Sequence, residues 1–188
     1  MEIHAHFPSN LRKFVRRSQV VLPKDFGIVA AYTGIGKESV IAEAGTGSGF
    51  ATIQFANICK KVYSFEVRED HYEFAKKNIE KSKMNNIELQ NSSIEEIQEK
   101  ELDLIFLDMK DSHLMVSKLF HLIKEKGHMV GYVPNIEQAK DFTLECEKYF
   151  SKVFTVTSQV NSYQIRDFGC RPEHFGMQHT AYLVFAEK

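Results

Sequence analysis

The chain has 188 residues, 43% of them hydrophobic and 26% charged, a balance that excludes a collagen-like or disordered polymer. At this length one domain is expected, burying roughly 70% of the surface its unfolded chain exposes. The 24 Lys and Arg against 25 Asp and Glu leave a net charge of −1, which argues against nucleic-acid binding by bulk charge alone.

In chain order, residues 11–19 carry Leu11, Phe14 and Val15 among Arg12, Lys13, Arg16 and Arg17. This pattern predicts a basic helix with its apolar side inward, pairing Arg12 with Arg16 and Lys13 with Arg17 one turn apart. Strands are expected at 39–44 (SVIAEA), 61–66 (KVYSFE), 87–90, 102–108 (LDLIFLD), 128–133 (HMVGYV), 152–158 and 181–186 (AYLVFA). Helical spacing of apolar residues is read at 50–58, 70–83, 112–124 and 136–150. Strands alternating with helices imply a mostly parallel sheet covered on both faces. The last two strands lack a long intervening helix, and an antiparallel pair at one edge is expected.

No apolar run approaches the about 20 residues of a membrane span. The N-terminal residues lack the apolar core of a signal peptide, so a cytoplasmic chain is expected. Cys59, Cys146 and Cys170 lie far apart, which fits neither a disulfide framework nor a structural zinc site. His4 and His6 are read as part of an exposed terminal segment. No metal site is expected.

The strongest local signal is Glu43-Ala44-Gly45-Thr46-Gly47-Ser48-Gly49, between the first full strand and a helix opening at Phe50. Glycines allow a tight turn and close ligand approach, and the helix N-terminus offers free N–H groups. Glu66 ends the next strand, 17 residues after Gly49, where a βαβ unit presents an acid to the ribose of a nucleotide. A dinucleotide fingerprint would place its third glycine at residue 50, which is Phe50 here. The E-x-G-x-G-x-G spacing instead resembles the first motif of class I S-adenosylmethionine-dependent methyltransferases. No hydride-transfer site of a dehydrogenase is found.

More of the chain carries a narrower resemblance. The segments 19–25 (QVVLPKD), 43–49 (EAGTGSG), 103–108 (DLIFLD), 131–138 (GYVPNIEQ), 171–174 (RPEH) and 179–182 (HTAY) together resemble the tRNA (adenine-N1)-methyltransferase family, across residues 10–188. The resemblance implies a Rossmann-like α/β fold of class I methyltransferase type. Its sheet would have seven mostly parallel strands, helices on both faces and an antiparallel C-terminal edge pair. It implies S-adenosylmethionine as cofactor, held by Gly45, Thr46, Gly47, Ser48, Gly49 and Phe50 around the methionine part and by Glu66 at the ribose. His71 would close over the cofactor and Glu95 would meet its adenine. A solvent-facing helix residue is the plain alternative for His71, and a solvated acidic face for Glu95. Many methyltransferases carry Asp after the third strand, where this chain has Asn91-Ser92-Ser93.

The same resemblance implies methyl transfer to adenine N1 near position 58 of the tRNA T loop. Asp108 and Tyr132 stand at the ends of the fourth and fifth predicted strands, where parallel sheets open ligand clefts. A carboxylate accepting a hydrogen bond from the exocyclic N6 raises electron density at N1 and stabilises the cationic product, so Asp108 is the expected catalytic residue. Tyr132 would pack against or hydrogen-bond the extruded base. A helix cap is the alternative for Asp108, and core packing for Tyr132. Relatives carry Pro or Pro-Trp shortly after this Asp; Met109-Lys110-Asp111 stands here.

Arg12, Lys13, Arg16, Arg17, Arg171 and His179 form the expected RNA-binding set, offset by acidic residues near Glu95–Asp103. A single domain, 1–188, is expected, with residues 1–24 as a basic helical extension and most of the family's N-terminal domain missing. Homo-oligomerisation as a dimer or tetramer follows from the resemblance, and no membrane partner is expected in the absence of a long apolar run. A same-fold methyltransferase for a protein or small molecule, and a non-catalytic RNA-binding subunit, are the competing readings. The retained Gly-rich turn, Glu66 and Asp108 argue against the last.

Overall fold

The computed structural model describes residues 7–173 and 179–188. A short helix, α1 (Ser9–Arg12), precedes α2 (Pro23–Thr33). The alternating part then runs β1 (Val40–Ala44), α3 (Phe50–Ala56), β2 (Lys61–Phe65), α4 (Glu69–Ser82), β3 (Ile87–Gln90), β4 (Leu102–Leu107), α5 (Val116–Leu119), β5 (Ile123–Val133) and α6 (Ile136–Cys146). Four strands follow: β6 (Lys152–Val156), β7 (Tyr163–Arg166), β8 (Gly169–Pro172) and β9 (Tyr182–Glu187).

The main sheet has seven strands in the order β3-β2-β1-β4-β5-β9-β6. The first five are parallel, and β9 is antiparallel to both β5 and β6. The expected antiparallel C-terminal pair is thus β9 with β6, and β6 forms the edge. β7 and β8 make a separate two-stranded sheet that is not among the strands expected from the sequence.

Strand alternation divides the core between two faces. Ala42, Ala44, Ile105 and Leu107 pack with Met129, Val116 and Phe142 on one side. Ile41, Leu104, Phe106 and Val130 pack with Val29, Ala51 and Phe55 on the other. β4 is apolar on both faces, as a central parallel strand must be. Local chemistry sets the helix ends. Pro23 begins α2 and Gly34 ends it with φ of 65°; Asn135 caps α6 by accepting from the Gln138 N–H at 2.9 Å.

Two expected helices are corrected. Residues 112–124 form a 3₁₀ turn (Ser112–Met115), α5 and a second 3₁₀ turn (Phe120–Leu122). Strand pairing then takes over, because Ile123 already pairs with Leu102. The basic helix expected over 11–19 is confined to Ser9–Arg12. Beyond it, side chains elsewhere capture the backbone. Val15 exchanges bonds with the Asn78 amide at 3.3 and 3.0 Å, and the Arg17 and Ser18 N–H groups donate to Ser48 Oγ at 3.0 and 3.3 Å. Two of the three residues expected to face inward do so: Leu11 and Phe14 are buried with Phe7 and Phe50, whereas Val15 is exposed because the helix that would turn it inward ends at Arg12. The helical pairing of Arg12 with Arg16 and Lys13 with Arg17 therefore does not exist.

Candidate active site

The Gly-rich turn sits at the C-terminal ends of the central parallel strands, where β1 passes into α3. It is fixed from three directions. The Gly45 N–H donates to the Phe65 carbonyl at 3.0 Å, and the Asp108 N–H donates to the Ala44 carbonyl at 2.9 Å. The Gly47 N–H donates to Glu66 Oε2 at 3.0 Å. A Cβ on Gly45 would stand 1.9 Å from the Asp108 carbonyl oxygen, so the turn tolerates no side chain there. A cleft opens between this turn and residues 19–21, lined also by Phe50, Ala51 and Asp108.

The side chains of the turn divide the labour. Thr46 Oγ1 is 2.7 Å from Ser64 Oγ in the interior. Ser48 Oγ holds the N-terminal segment, and Phe50 packs edge-on against Phe7 and Phe14. What the turn offers a ligand is mainly backbone, as the helix N-terminus argument requires.

Three carboxyl groups converge on the turn. Glu66 is buried; besides Gly47 it accepts from the Arg68 N–H at 3.0 Å. Two of its about four acceptor positions remain for hydroxyl donors. Its carbonyl accepts from the Asn91 amide at 2.7 Å. His71 Nδ1 lies 3.9 Å from Glu66 Oε2. Glu43, buried beneath the turn, accepts from Ser64 Oγ at 3.1 Å. Burial pushes its carboxyl up to about 7, against the hydrogen bonds of Thr52 and Ser64 and with the help of the Glu66 charge. Burial also pushes Asp108 up to about 7, reinforced by Glu43 and Glu66.

Asp108 and Tyr132 face the same way. The last pair of the β4–β5 ladder is Leu107 with Gly131, so the next position brings Asp108 level with Tyr132. Paired residues of neighbouring strands share a face. Burial, then the Asp25 and Asp108 carboxylates, push the Tyr132 hydroxyl upward in pKa.

The other predicted residues do not line this cleft. Glu95 is exposed and ion-paired with Lys118 at 2.9 Å. Arg12 Nε donates to the Phe7 carbonyl at 2.8 Å, and the Lys13 ammonium lies over Phe14. Arg16 is exposed. Arg17 pairs with Asp70 at 3.5 Å. Arg171 donates to Gln164 at 3.2 Å, and His179 Nε2 is 3.3 Å from the Pro134 carbonyl. His174 lies outside the described residues.

Sequence reasoning missed one group. Asp25, fully buried, receives Lys24 at 2.8 Å, Thr180 at 2.7 Å and Tyr132 at 3.3 Å, together with Ser158 Oγ. It joins three quoted motif segments, 19–25, 131–138 and 179–182. An acid in the first turn of α2 carried no local signal that three of its four partners stand more than a hundred residues away.

The donor set fits S-adenosylmethionine. The turn presents backbone N–H groups and Glu66 keeps acceptor capacity for ribose hydroxyls. Just after β3, Ser92 Oγ is buried with no hydrogen-bond partner among the described residues, at the place where an adenine is expected. Fold and site together define a class I methyltransferase domain. The family model described as tRNA methyltransferase complex GCD14 subunit matches residues 11–181, and the chain belongs to that family.

Named relatives agree. The chain is 28% identical to the tRNA (adenine(57)-N(1)/adenine(58)-N(1))-methyltransferase TrmI of Methanocaldococcus jannaschii, covering 94% of this chain and 74% of that protein. It is 25% identical to tRNA (adenine(58)-N(1))-methyltransferase TrmI of Thermus thermophilus, covering 97% and 76%. The crystal structure of tRNA (m1A58) methyltransferase TrmI from Aquifex aeolicus superposes with a TM-score of 0.88 at 26% identity, over 95% of this chain and 74% of that one. This protein is an S-adenosylmethionine-dependent methyltransferase of the tRNA adenine-N1 type.

Proposed function

We propose that the acceptor is N1 of an adenine in the T loop of tRNA, near position 58, and that Asp108 and Tyr132 form the target-base pocket. The observation that carries this reading is their placement level with one another at the ends of β4 and β5, beside the Gly-rich turn. When bound, S-adenosylmethionine supplies an electrophilic methyl group on a sulfonium. Asp108, as carboxylate, accepts a hydrogen bond from the exocyclic N6 of the base. This raises electron density at N1 and stabilises the positive charge that the ring gains with the methyl group. Tyr132 orients the base so that N1 lies in line with the transferred group. Adenine N1 is inaccessible in folded tRNA, so the base must be extruded to reach these residues.

Gly45, Thr46, Gly47, Ser48, Gly49 and Phe50 hold the cofactor, with Glu66 at the ribose and His71 above it; Glu95 is assigned to the adenine end. Arg12, Lys13, Arg16, Arg17, Arg171 and His179 contribute the RNA surface, and the protein works in the cytoplasm. Assembly with further copies, as a dimer or tetramer, is supported by the β7–β8 hairpin. There Ile165 and Phe168 are 74% and 85% exposed, and exposed apolar side chains grouped together are a mark of interaction surfaces. The test is incubation of the protein with labelled S-adenosylmethionine and unmodified tRNA, followed by digestion to nucleosides. The expected product is 1-methyladenosine. Cofactor binding without that product would move the acceptor to another class of molecule.

A further inference from the structure

Asp25 has more to do than hold a helix to a sheet. Its carboxylate is fully buried in the first turn of α2 and is surrounded by four donors. Oδ1 takes Lys24 Nζ at 2.8 Å and Ser158 Oγ. Oδ2 takes Thr180 Oγ1 at 2.7 Å and the Tyr132 hydroxyl at 3.3 Å. Lys24 also reaches Ser158 Oγ at 2.7 Å and Thr180 Oγ1 at 2.6 Å. With the Ser158 carbonyl at 3.0 Å, the three ammonium protons are shared among four acceptors, and each hydroxyl donates its own hydrogen bond to Asp25.

This accounting fixes the direction of the remaining bond. A carboxylate has no proton to give, so the Asp25–Tyr132 contact runs from the phenol to the acid. The Tyr132 oxygen then has only lone pairs left for anything else. Asp108, level with Tyr132 on the neighbouring strand, is likewise an acceptor when ionised. From these two side chains a base lying against both meets two acceptors. An exocyclic amine satisfies both through its two N–H groups; a 6-oxo group satisfies neither.

We propose that Asp25 is a positioning residue that claims the Tyr132 proton, turning that hydroxyl into an acceptor and making the target pocket select a 6-amino purine. The inference rests on the adenine-N1 reading above. Lys24, Ser158 and Thr180 serve it by holding the Asp25 carboxylate in place. The selection follows from the cost of leaving a buried acceptor facing another acceptor.

Two measurements on the intact protein test this. The first needs no substrate. The Tyr132 hydroxyl proton is expected as a downfield NMR resonance that disappears in Tyr132→Phe and shifts upfield in Asp25→Asn. A resonance unaffected by Asp25→Asn would overturn the proposal. The second is a double-mutant cycle on methyl transfer to unmodified tRNA. Each single change is expected to lower kcat about tenfold with cofactor affinity retained, and the double variant should be no slower than Tyr132→Phe alone. Independent, multiplying losses would make Asp25 merely structural and would also overturn it. If Asp25→Asn does not fold, the neutral pair Lys24→Gln with Asp25→Asn replaces it in both measurements under the same criteria. A wild-type protein that yields no 1-methyladenosine while its hydroxyl resonance responds as expected would refute the acceptor assignment, leaving the Asp25–Tyr132 bond established and the selection for a 6-amino purine refuted.

Discussion

Gly45 approaches Asp108 so closely that a Cβ on the glycine would stand 1.9 Å from the Asp108 carbonyl oxygen, and its φ of 89° is one that side chains rarely adopt. The contact joins the cofactor turn to the backbone of the expected catalytic residue. Gly45→Ala therefore strains the turn and displaces Asp108 together. It should lower stability by about 3 kcal/mol or more, in the range of changes that force a special backbone conformation into a clash. Chemical denaturation read by circular dichroism checks this. The surviving folded fraction should bind cofactor weakly, as calorimetry would show. A Gly45→Ala protein with wild-type stability and affinity would mean that the turn relaxes without Asp108.

The acidic cluster gives the pH dependence a definite sign. Glu43 and Asp108 stand at about 7 against ordinary values of 4.5 and 3.8. Between those values the folded protein binds more protons than the unfolded chain, so stability falls as pH rises. The ligand-free protein should melt highest near pH 5 and lower at pH 8. For a chain of this size each kcal/mol lost corresponds to about 2–4 °C. Asp108→Asn should remove part of that slope.

Catalysis runs the other way with pH. Asp108 must be ionised to accept from the base, so methyl transfer should rise with pH toward 7. A positively charged cofactor lowers the carboxyl value, and the midpoint in kcat should lie below that in kcat/KM for the cofactor. Asp108→Asn should cost about 100-fold or more in kcat while leaving cofactor affinity within a few-fold. Equal loss of binding and rate would make Asp108 a structural residue.

The N-terminal segment is tied to the turn through Ser48 and Asn78. Ser48 Oγ accepts the Arg17 and Ser18 N–H groups, and Asn78 Nδ2 donates to the Val15 and Ser48 carbonyls at 3.0 and 2.9 Å. Ser48→Ala strands two backbone donors and should cost about 1–3 kcal/mol. Because residues 19–21 line the cleft, cofactor affinity should fall with it. Amide hydrogen exchange should show faster exchange at residues 15–21 in this variant.

The sequence made the Gly-rich turn and the parallel strands legible because both are local: apolar runs such as LDLIFL and a glycine at every second position need no distant partner. Glu43 was visible as the acid that opens the E-x-G-x-G-x-G motif, but its burial beside Ser64 and Thr52, which come from elsewhere in the chain, was not. The basic helix failed for the same reason in reverse. Its apolar spacing held only in part, since Leu11 and Phe14 face inward while Val15 is exposed, and Ser48 and Asn78 supply hydrogen bonds that compete with helix formation. The Asp25 network was illegible because its members are scattered from Lys24 to Thr180. The hairpin β7–β8 was missed because Tyr163, Ile165 and Phe168 are exposed and show no buried face.

Loss of the expected helix changes which basic residues should matter for RNA. Arg17 is committed to Asp70 and packs over Phe74, and Arg12 is turned back to the Phe7 carbonyl. Arg16 is exposed, and Lys13 keeps its ammonium outward over Phe14. Lys13 and Arg16 are therefore the stronger phosphate ligands of this segment. Replacing both with Gln should weaken tRNA binding and reduce the magnitude of the slope of log K against log salt by roughly 1 per residue. Arg12→Gln should change the slope less and lower the melting temperature more, since its guanidinium also ties the chain to the Phe7 carbonyl. Binding measured at a series of salt concentrations separates the two effects. A slope that moves with Arg12 and not with Lys13 and Arg16 would reverse the assignment.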